Sequence, residues 1–578
     1  MNLNLLVATI LEAMMLVAGA GEPEELAEDE IQRFEHYASH PLRINSANAR
    51  ELEVSGLFTT FRAVSLYDYI CRNGPVLSVQ ELSSVDGFDQ QIAQALSWFV
   101  SFAPDAEGET GRWVADAEFQ TGSNSKYPPD GDTSRTSLYW LSSSRLQKGE
   151  NCYFNLGVAG QYESVHPEVP CSLSALTLSC GLNFPKAGLK VYLGDYNARF
   201  GQGAIMWNTL QINSATSVNS LIFRPSGLSV SHSSKGGYAH TGAGLSWSAG
   251  RWSLSAALAL PGFKTALIAS ANGGKPAPAG LSPMLNLNWW GQSCSLGLNA
   301  ICIFMPGPSG PGISAAVSSD FRASILGADL SGEIAVIFSP SNVPRTGKSK
   351  LPASASACLG CIIPAGEWFK TGARISYTSQ KHFARIILEA NAPKGHHFSL
   401  AAAFTNSKGS QTSRVDATAD LKWAEILRMS FRIKENLIFA APVHQSMTLR
   451  SDASLTWKSN WTTSLTAACS RTSKWGLAIY AEQAWKVESL CSAHLRAGIF
   501  SIDDWIGRIY FYEPDIPGRF TVPALYGRGW WISAHCSAKI ARAFKLSCRL
   551  AYKDYVFMEK QSRKPAVLEA RISLVTNF

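Results

Sequence analysis

The stretch Ala570-Arg571-Ile572-Ser573-Leu574-Val575-Thr576-Asn577-Phe578 decides how the rest of the chain is read. In an extended chain successive side chains point to opposite faces. Ala570, Ile572, Leu574, Thr576 and Phe578 therefore share one face and Arg571, Ser573 and Asn577 the other, with Val575 the one exception. The two-sided pattern recurs upstream. Met447, Leu449, Ala453, Leu455 and Trp457 oppose Thr448, Arg450, Asp452, Ser454 and Thr456. Val415, Ala417, Ala419, Leu421 and Trp423 oppose Arg414, Asp416, Thr418, Asp420 and Lys422. Cys491, Ala493, Leu495, Ala497 and Ile499 oppose Ser492, His494 and Arg496, and Phe544, Leu546, Cys548, Leu550 and Tyr552 oppose Lys545, Ser547 and Arg549. Trp423, Trp457 and Tyr552 close the ends of their apolar faces.

Such runs succeed one another from about residue 111 to the end, each long enough to cross a bilayer at a tilt, which takes ~9–11 residues. Their charged faces exclude a buried parallel sheet, which is apolar on both sides. A soluble β-sandwich also alternates, but this chain of 578 residues is 46% hydrophobic and only 16% charged, against roughly 25% charged in soluble domains. Trp 17, Tyr 17 and Phe 27 supply the aromatics that interfacial girdles need. The fold class is therefore mainly β: a large antiparallel transmembrane β-barrel over 111–578, of about 20–26 strands. The breaks at 261–282, 305–312 and 339–353, rich in Gly, Pro and Ser, read as extracellular loops. Eight of the twelve cysteines sit inside apolar-patterned runs and read as small hydrophobes. Cys358-Leu-Gly-Cys361 has redox or metal spacing, but without a second such pair or clustered His it reads as strand.

The first hundred residues differ. Residues 1–20 form an apolar core ending in Ala18-Gly19-Ala20, the pattern of a secretory leader. Residues 21–105 contain 14 acids, 5 arginines and no lysine, a net −9, whereas 111–578 carries +19. An acidic head thus precedes a basic body, and such asymmetry bears on partners. Short helical patterns separated by Gly-containing turns run through 24–39, 44–52, 61–71, 79–84 and 90–100, with Asn45 or Ser46 able to cap a helix.

The closing strand resembles the last strand of bacterial outer-membrane β-barrels, in which the terminal aromatic, here Phe578, is the signal read by the barrel-assembly machinery. In the head, Ile44-Asn45-x-Ala47-x-x-x-Glu51-Leu52, Gly56, Tyr69-Ile70-x-x-x-Gly74 and Glu81-Leu82-x-x-Val85-x-Gly87-Phe88 resemble the tandem helix-hairpin-helix domain of ComEA-type DNA receptors. Leu193-Gly194-Asp195-Tyr196-x-x-x-Phe200-Gly201-Gln202-Gly203, Arg508-Ile509-Tyr510-x-Tyr512-Glu513 and Pro523-Ala524-Leu525-Tyr526-Gly527-Arg528-Gly529 resemble Bacteroidetes proteins that carry such a domain ahead of an outer-membrane barrel. The resemblance implies a small all-α helix-hairpin-helix domain at 21–105, in the periplasm, ahead of the barrel.

A nucleic-acid-binding hairpin needs two turn glycines, so that backbone N–H groups can face a phosphate beside a helix N-terminus. Here the turns are Gly56-Leu57-Phe58 and Gly87-Phe88-Asp89. The second glycine is replaced in each, and only Arg62 and Arg72 are basic nearby. These eight residues are the candidate hairpin site. Asp195, Arg199, Arg508, Glu513, Arg519 and Arg528, charged residues within or beside the barrel motifs, are candidates for a lumen cluster. Gly347-Lys348-Ser349 lacks the earlier glycine of a P-loop. No spacing pairs a nucleophile with a base or gathers metal ligands, so catalytic residues, metal and cofactor are all expected to be absent. The sequence predicts a non-enzymatic barrel for transport or envelope assembly. Its expected partners are outer-membrane lipids, lipopolysaccharide and a periplasmic protein. A DNA-uptake component that binds nucleic acid is the alternative, and a barrel hydrolase the third reading.

Overall fold

The computed structural model describes residues 6–577 except 19, 21–25, 27, 104–112, 129–133, 150, 165–170, 209–215, 234–236, 277, 292, 307–311, 339–352, 367, 393–395, 408–409, 424–425, 440–442, 459, 488–489, 504, 542 and 557–563. Phe578, and most of the predicted loops at 305–312 and 339–353, lie outside the described residues.

Alternation becomes a closed wall of 24 antiparallel strands. Sequence neighbours pair around the wall, and the last strand, Ala566–Asn577, closes it by pairing with the first, Trp113–Tyr127. The period-two pattern fixes which face looks where. Ile433, Leu465 and Leu495 look outward and stay exposed, while Arg432, Thr466 and Arg496 on the same strands look inward and are buried. An apolar exterior around a polar interior is the reverse of a soluble protein and suits a barrel lying in lipid. Trp423 and Trp457 stand exposed at strand ends, in girdle position. All twelve cysteines are free, and Cys358 and Cys361, three apart on the strand Ala353–Pro364, point to opposite faces. One predicted loop is different in kind: 261–282 contains a helix, Phe263–Ala271.

Ahead of the wall come six helices: α1 (Leu6–Ala18), α2 (Glu28–Ser39), α3 (Ala49–Val54), α4 (Thr60–Asn73), α5 (Val79–Leu82) and α6 (Gln90–Leu96). Side-chain caps set four starts. Asn48, Thr59, Ser78 and Asp89 each accept a hydrogen bond from a backbone N–H in the first turn of α3, α4, α5 and α6, a contact worth about 1 kcal/mol apiece. The helices share one apolar core that includes Phe34, Ile44, Leu52, Leu66, Leu82, Leu96 and Phe99. A two-residue parallel pairing, Leu42–Arg43 with Val100–Ser101, ties the head's beginning to its end. No alternation or turn signal in the sequence marks this pairing.

Candidate functional site

The candidate site is the lumen, and it is filled from both ends. From the end that carries the chain termini, the helical head enters the mouth. Glu53 of α3 pairs with Arg322 on the wall strand Gly312–Ile325, and both side chains are buried. Arg322 also lies over the Trp290 ring at 5.1 Å. Arg50 donates to Ser248 Oγ, and Glu51 lies 3.8 Å from Lys190. Two acids of the head thus meet bases of the wall, Glu53 with Arg322 and Glu51 with Lys190.

From the opposite end two long connections fold inward, and these are the two motif regions of the barrel. The first follows the strand Leu189–Arg199. Gly201 turns there with φ +63, and a Cβ would meet the Glu333 carboxylate at 2.7 Å, which accounts for the glycine. Glu333 accepts from the backbone N–H of Gln202 at 2.7 Å and of Ala204 at 2.9 Å. Arg374 donates to the carbonyls of Leu221 and Gln202, both at 2.9 Å, and Glu389 accepts from the Val218 N–H at 2.9 Å. Wall charges therefore hold the loop's backbone, which satisfies groups that would be costly to bury alone. The second connection joins the strands Cys491–Ile502 and Gly527–Ala541. Glu513 pairs with Arg549, Asp515 with Arg571, and Phe511 packs on Tyr480 at 4.9 Å.

Head and loops meet inside. Arg224 of the first loop donates to the carbonyls of Val17 at 2.6 Å and Gly56 at 3.3 Å. His36 of α2 stacks on His232 of that loop, with centroids 4.1 Å apart, and on His40 at 5.0 Å. Glu35 accepts a hydrogen bond from the backbone of Gly518 in the second loop.

The hairpin candidates divide between two environments. Gly56, Leu57 and Phe58 are buried, and the first turn faces Arg224. Arg62 is buried too and donates to Gly87 O at 2.8 Å, so it braces one turn against the other. Phe88 packs on Phe58 at 6.1 Å, and Asp89 caps α6. Gly87 and Asp89 are exposed, as is Arg72, which pairs with Asp68 at 2.8 Å. The six lumen candidates likewise spread out. Asp195 is buried in the wall, where it accepts from Lys264 at 2.6 Å, and Arg199 is buried nearby on the same strand. Glu513 and Arg519 belong to the second loop, with Arg519 over the Tyr139 ring at 3.8 Å. Arg508 is half-buried over Trp505, and Arg528 is exposed on Asp503. Sequence reasoning missed Glu53, Arg322, Glu333, Arg374 and Glu389. Alternation could have flagged the four wall residues as charges facing the lumen, but nothing local shows which of them meet the head or a loop.

Three titratable groups lie at the seam between head and loops: His36, His232 and Glu35. Burial holds His36 well below the usual imidazole range, with His232, His40 and Arg145 adding to the effect. Burial, with Arg145, His40 and Arg33, pushes His232 down to about 3. Burial and Glu118 raise Glu35 to about 7, against Arg145, Lys545 and the Gly518 backbone. Each histidine regains roughly 6.5 when released to water. The histidines therefore contribute fully above about 6.5 and oppose seating as pH falls below it. Glu35 has the opposite sign: its contribution is full below its ordinary 4.5 and is lost as pH rises through about 7. Between about 4.5 and 6.5 two histidines outweigh one carboxyl, so seating weakens by about 1.4 kcal/mol per unit of acidification. The protection factor of the α2 amides, that is, exchange corrected for its intrinsic dependence on pH, should be highest near pH 6.5 and lower at pH 4.5, and His232→Phe should flatten the acid limb. An unchanged protection factor at pH 4.5 would rule out this linkage.

No known family's sequence profile matches the chain, and no curated protein does. Among solved structures it is similar to the translocation pore of the P pilus usher PapC, at 10% identity and TM-score 0.42, over 80% of this chain and 99% of that one. It is similar to the siderophore receptor PirA from Pseudomonas aeruginosa, at 8% identity and TM-score 0.39, over 81% and 80%. It is also similar to the ferric enterobactin receptor PfeA from Pseudomonas aeruginosa, at 8% identity and TM-score 0.41, over 80% and 81%.

Proposed function

We propose that this chain is a non-enzymatic outer-membrane transport barrel, closed from the periplasmic side by a helix-hairpin-helix plug that a periplasmic protein unseats. The observation that carries the reading is the buried Glu53–Arg322 pair between head and wall. The long connections, at the end remote from the termini, face the cell exterior in this reading. Residues 1–20 act as the export leader, so the mature head lacks α1 and exposes the face of α6 that α1 covers. Of the two hairpins, the second is free for a partner. Asp86 and Asp89 are exposed there, and Asp68 is half exposed on α4. A partner with a basic surface fits them.

DNA uptake draws less support. The first turn is buried and the second presents carboxylates, whereas affinity for nucleic acid grows with the number of phosphates that Lys and Arg neutralise.

Liposomes holding the intact chain should retain small sugars, and liposomes holding a chain without residues 28–103 should leak them. Equal retention by the two would sink the gating role. Duplex DNA should show no sub-micromolar, salt-sensitive binding to the intact chain; such binding would put DNA uptake first.

A further inference from the structure

The wall is incomplete at one place. Strand Ser172–Phe184 pairs from Ser172 to Leu182 with Cys152–Glu163 on one side, with a register shift at Ser174. On its other side it pairs with Leu189–Arg199 only from Ser179 to Phe184. At Gly194, φ +82, the chain leaves that neighbour; a Cβ there would lie 2.1 Å from Leu178 O. It stays paired with His240–Ala249 as far as Tyr196 and then turns inward. Among the described residues, Ser172–Leu178 therefore has no strand beside it in the half of the wall away from the termini.

Side chains hold this edge instead. Asp195 accepts from the Leu178 N–H at 3.0 Å and from Thr241 at 2.7 Å. Asn272, just beyond the helix Phe263–Ala271, bonds both Leu173 N–H and Leu173 O, at 2.7 and 2.9 Å. The same helix sends Lys264 in to Asp195 and leaves Phe263 and Leu267 exposed. Between the two edges lies a cavity of about 250 Å³ lined by Ser174, Leu176, His240, Thr241 and Lys264. An apolar groove of about 770 Å³ lies farther along on the lipid face, lined by Ala243 to Leu245 and by Ala256 to Leu258 of the strand Trp252–Ala259, so that Leu258 of the groove adjoins Ala259 of the cavity. A groove of that size is within the range of ligand sites, roughly 300–1,000 Å³.

We propose that this seam is a lateral portal, and that its ligand is an acylated amphiphile with an anionic head group. The acyl chain lies in the outer groove and the head group enters the cavity, where it competes with Asp195 for Lys264. Loss of that ion pair frees the helix and opens the side-chain-bridged edge between lumen and outer leaflet. Cargo leaving sideways would displace neither the head nor the second loop. The portal presupposes the transport role proposed above. Its readouts are lipid and hydrogen exchange at the seam, not flux, so portal and transporter fail separately.

The probes are phosphatidylglycerol and phosphatidylcholine, added to the intact chain in detergent. Native mass spectrometry should show phosphatidylglycerol retained about tenfold over phosphatidylcholine, with Lys264→Met abolishing the preference. Exchange over 172–178 should accelerate several-fold with phosphatidylglycerol alone. In Lys264→Met, and in Asn272→Ala, which leaves the ion pair intact, it should be fast with either lipid. Equal retention of both lipids by the unaltered chain, or exchange over 172–178 that neither lipid nor either variant changes, would overturn the portal.

Discussion

Glu53→Ala should unseat the head. The change leaves Arg322 buried opposite nothing, in a place where both partners are almost wholly shielded from water. Removing one member of a buried ion pair costs ~3–5 kcal/mol, because the survivor keeps its desolvation penalty. At about 1.4 kcal/mol per factor of ten, the seating equilibrium should fall by roughly two to four orders of magnitude. In planar bilayers the variant should show frequent openings where the unaltered chain is silent. Hydrogen exchange across α3 should rise in step. The pair Glu53→Leu with Arg322→Met should restore most of the closure, since a well-packed apolar pair substitutes for a buried ion pair at little cost. A silent Glu53→Ala variant would mean that seating rests elsewhere, on the Arg224 and His36 contacts.

Leu465→Arg should impair insertion far more than Ser464→Arg. Leu465 is 54% exposed in the middle of Trp461–Arg471 and faces outward, while Ser464 faces the lumen. An arginine on the lipid face near the midplane costs ~2–4 kcal/mol, and a lumen substitution little. The folded fraction after refolding into vesicles, read from heat-modifiable migration, measures the difference. Equal yields would place this strand outside the hydrocarbon.

These two predictions rest on information of different kinds. The faces of the alternating runs were legible, because side chains such as Leu449, Ala453 and Leu455 opposite Arg450 and Ser454 separate by period two, and the low charge of the chain pointed their apolar side to lipid rather than to a sandwich core. The break at Gly194 was visible as a glycine but not as a seam, since its effect lies in pairing with a strand remote along the chain. The head's helices were legible from their spacing and Gly-containing turns, but the expected cap was misplaced: Asn48, not Asn45 or Ser46, caps α3, and the Asn45 side chain bonds the Val76 backbone instead. The head's position was not legible. Glu53 lies in an ordinary acidic helix, and Arg322 is one inward charge among many. Their meeting depends on how two independently patterned regions fit, which no local period encodes. The motifs 193–203 and 508–529 stood out as unusual, yet their purpose, infolding against Glu333, Arg374 and Arg549, needed the lumen around them.

The closing pair of the wall has a kinetic consequence. Among the described residues the other wall pairings join strands that follow one another along the chain, except that Leu189–Arg199 also pairs with His240–Ala249 past the short strand Gly227–Val230, so most hairpins form locally. The Thr576 hydroxyl reaches the Ala117 carbonyl across 459 residues of sequence. Contacts so remote come late, because loop closure must precede their reward. The sheet therefore remains an open, curling ribbon with two raw edges until its last strand arrives. During that interval the inward faces of the Arg322 and Ser248 strands are already made and accessible from the side. The acidic head, synthesised first, can settle on them while the ribbon is open and be enclosed as the edges join. In this order of events the plug is a passenger of assembly, and a head seated after closure would have to enter through the mouth alone.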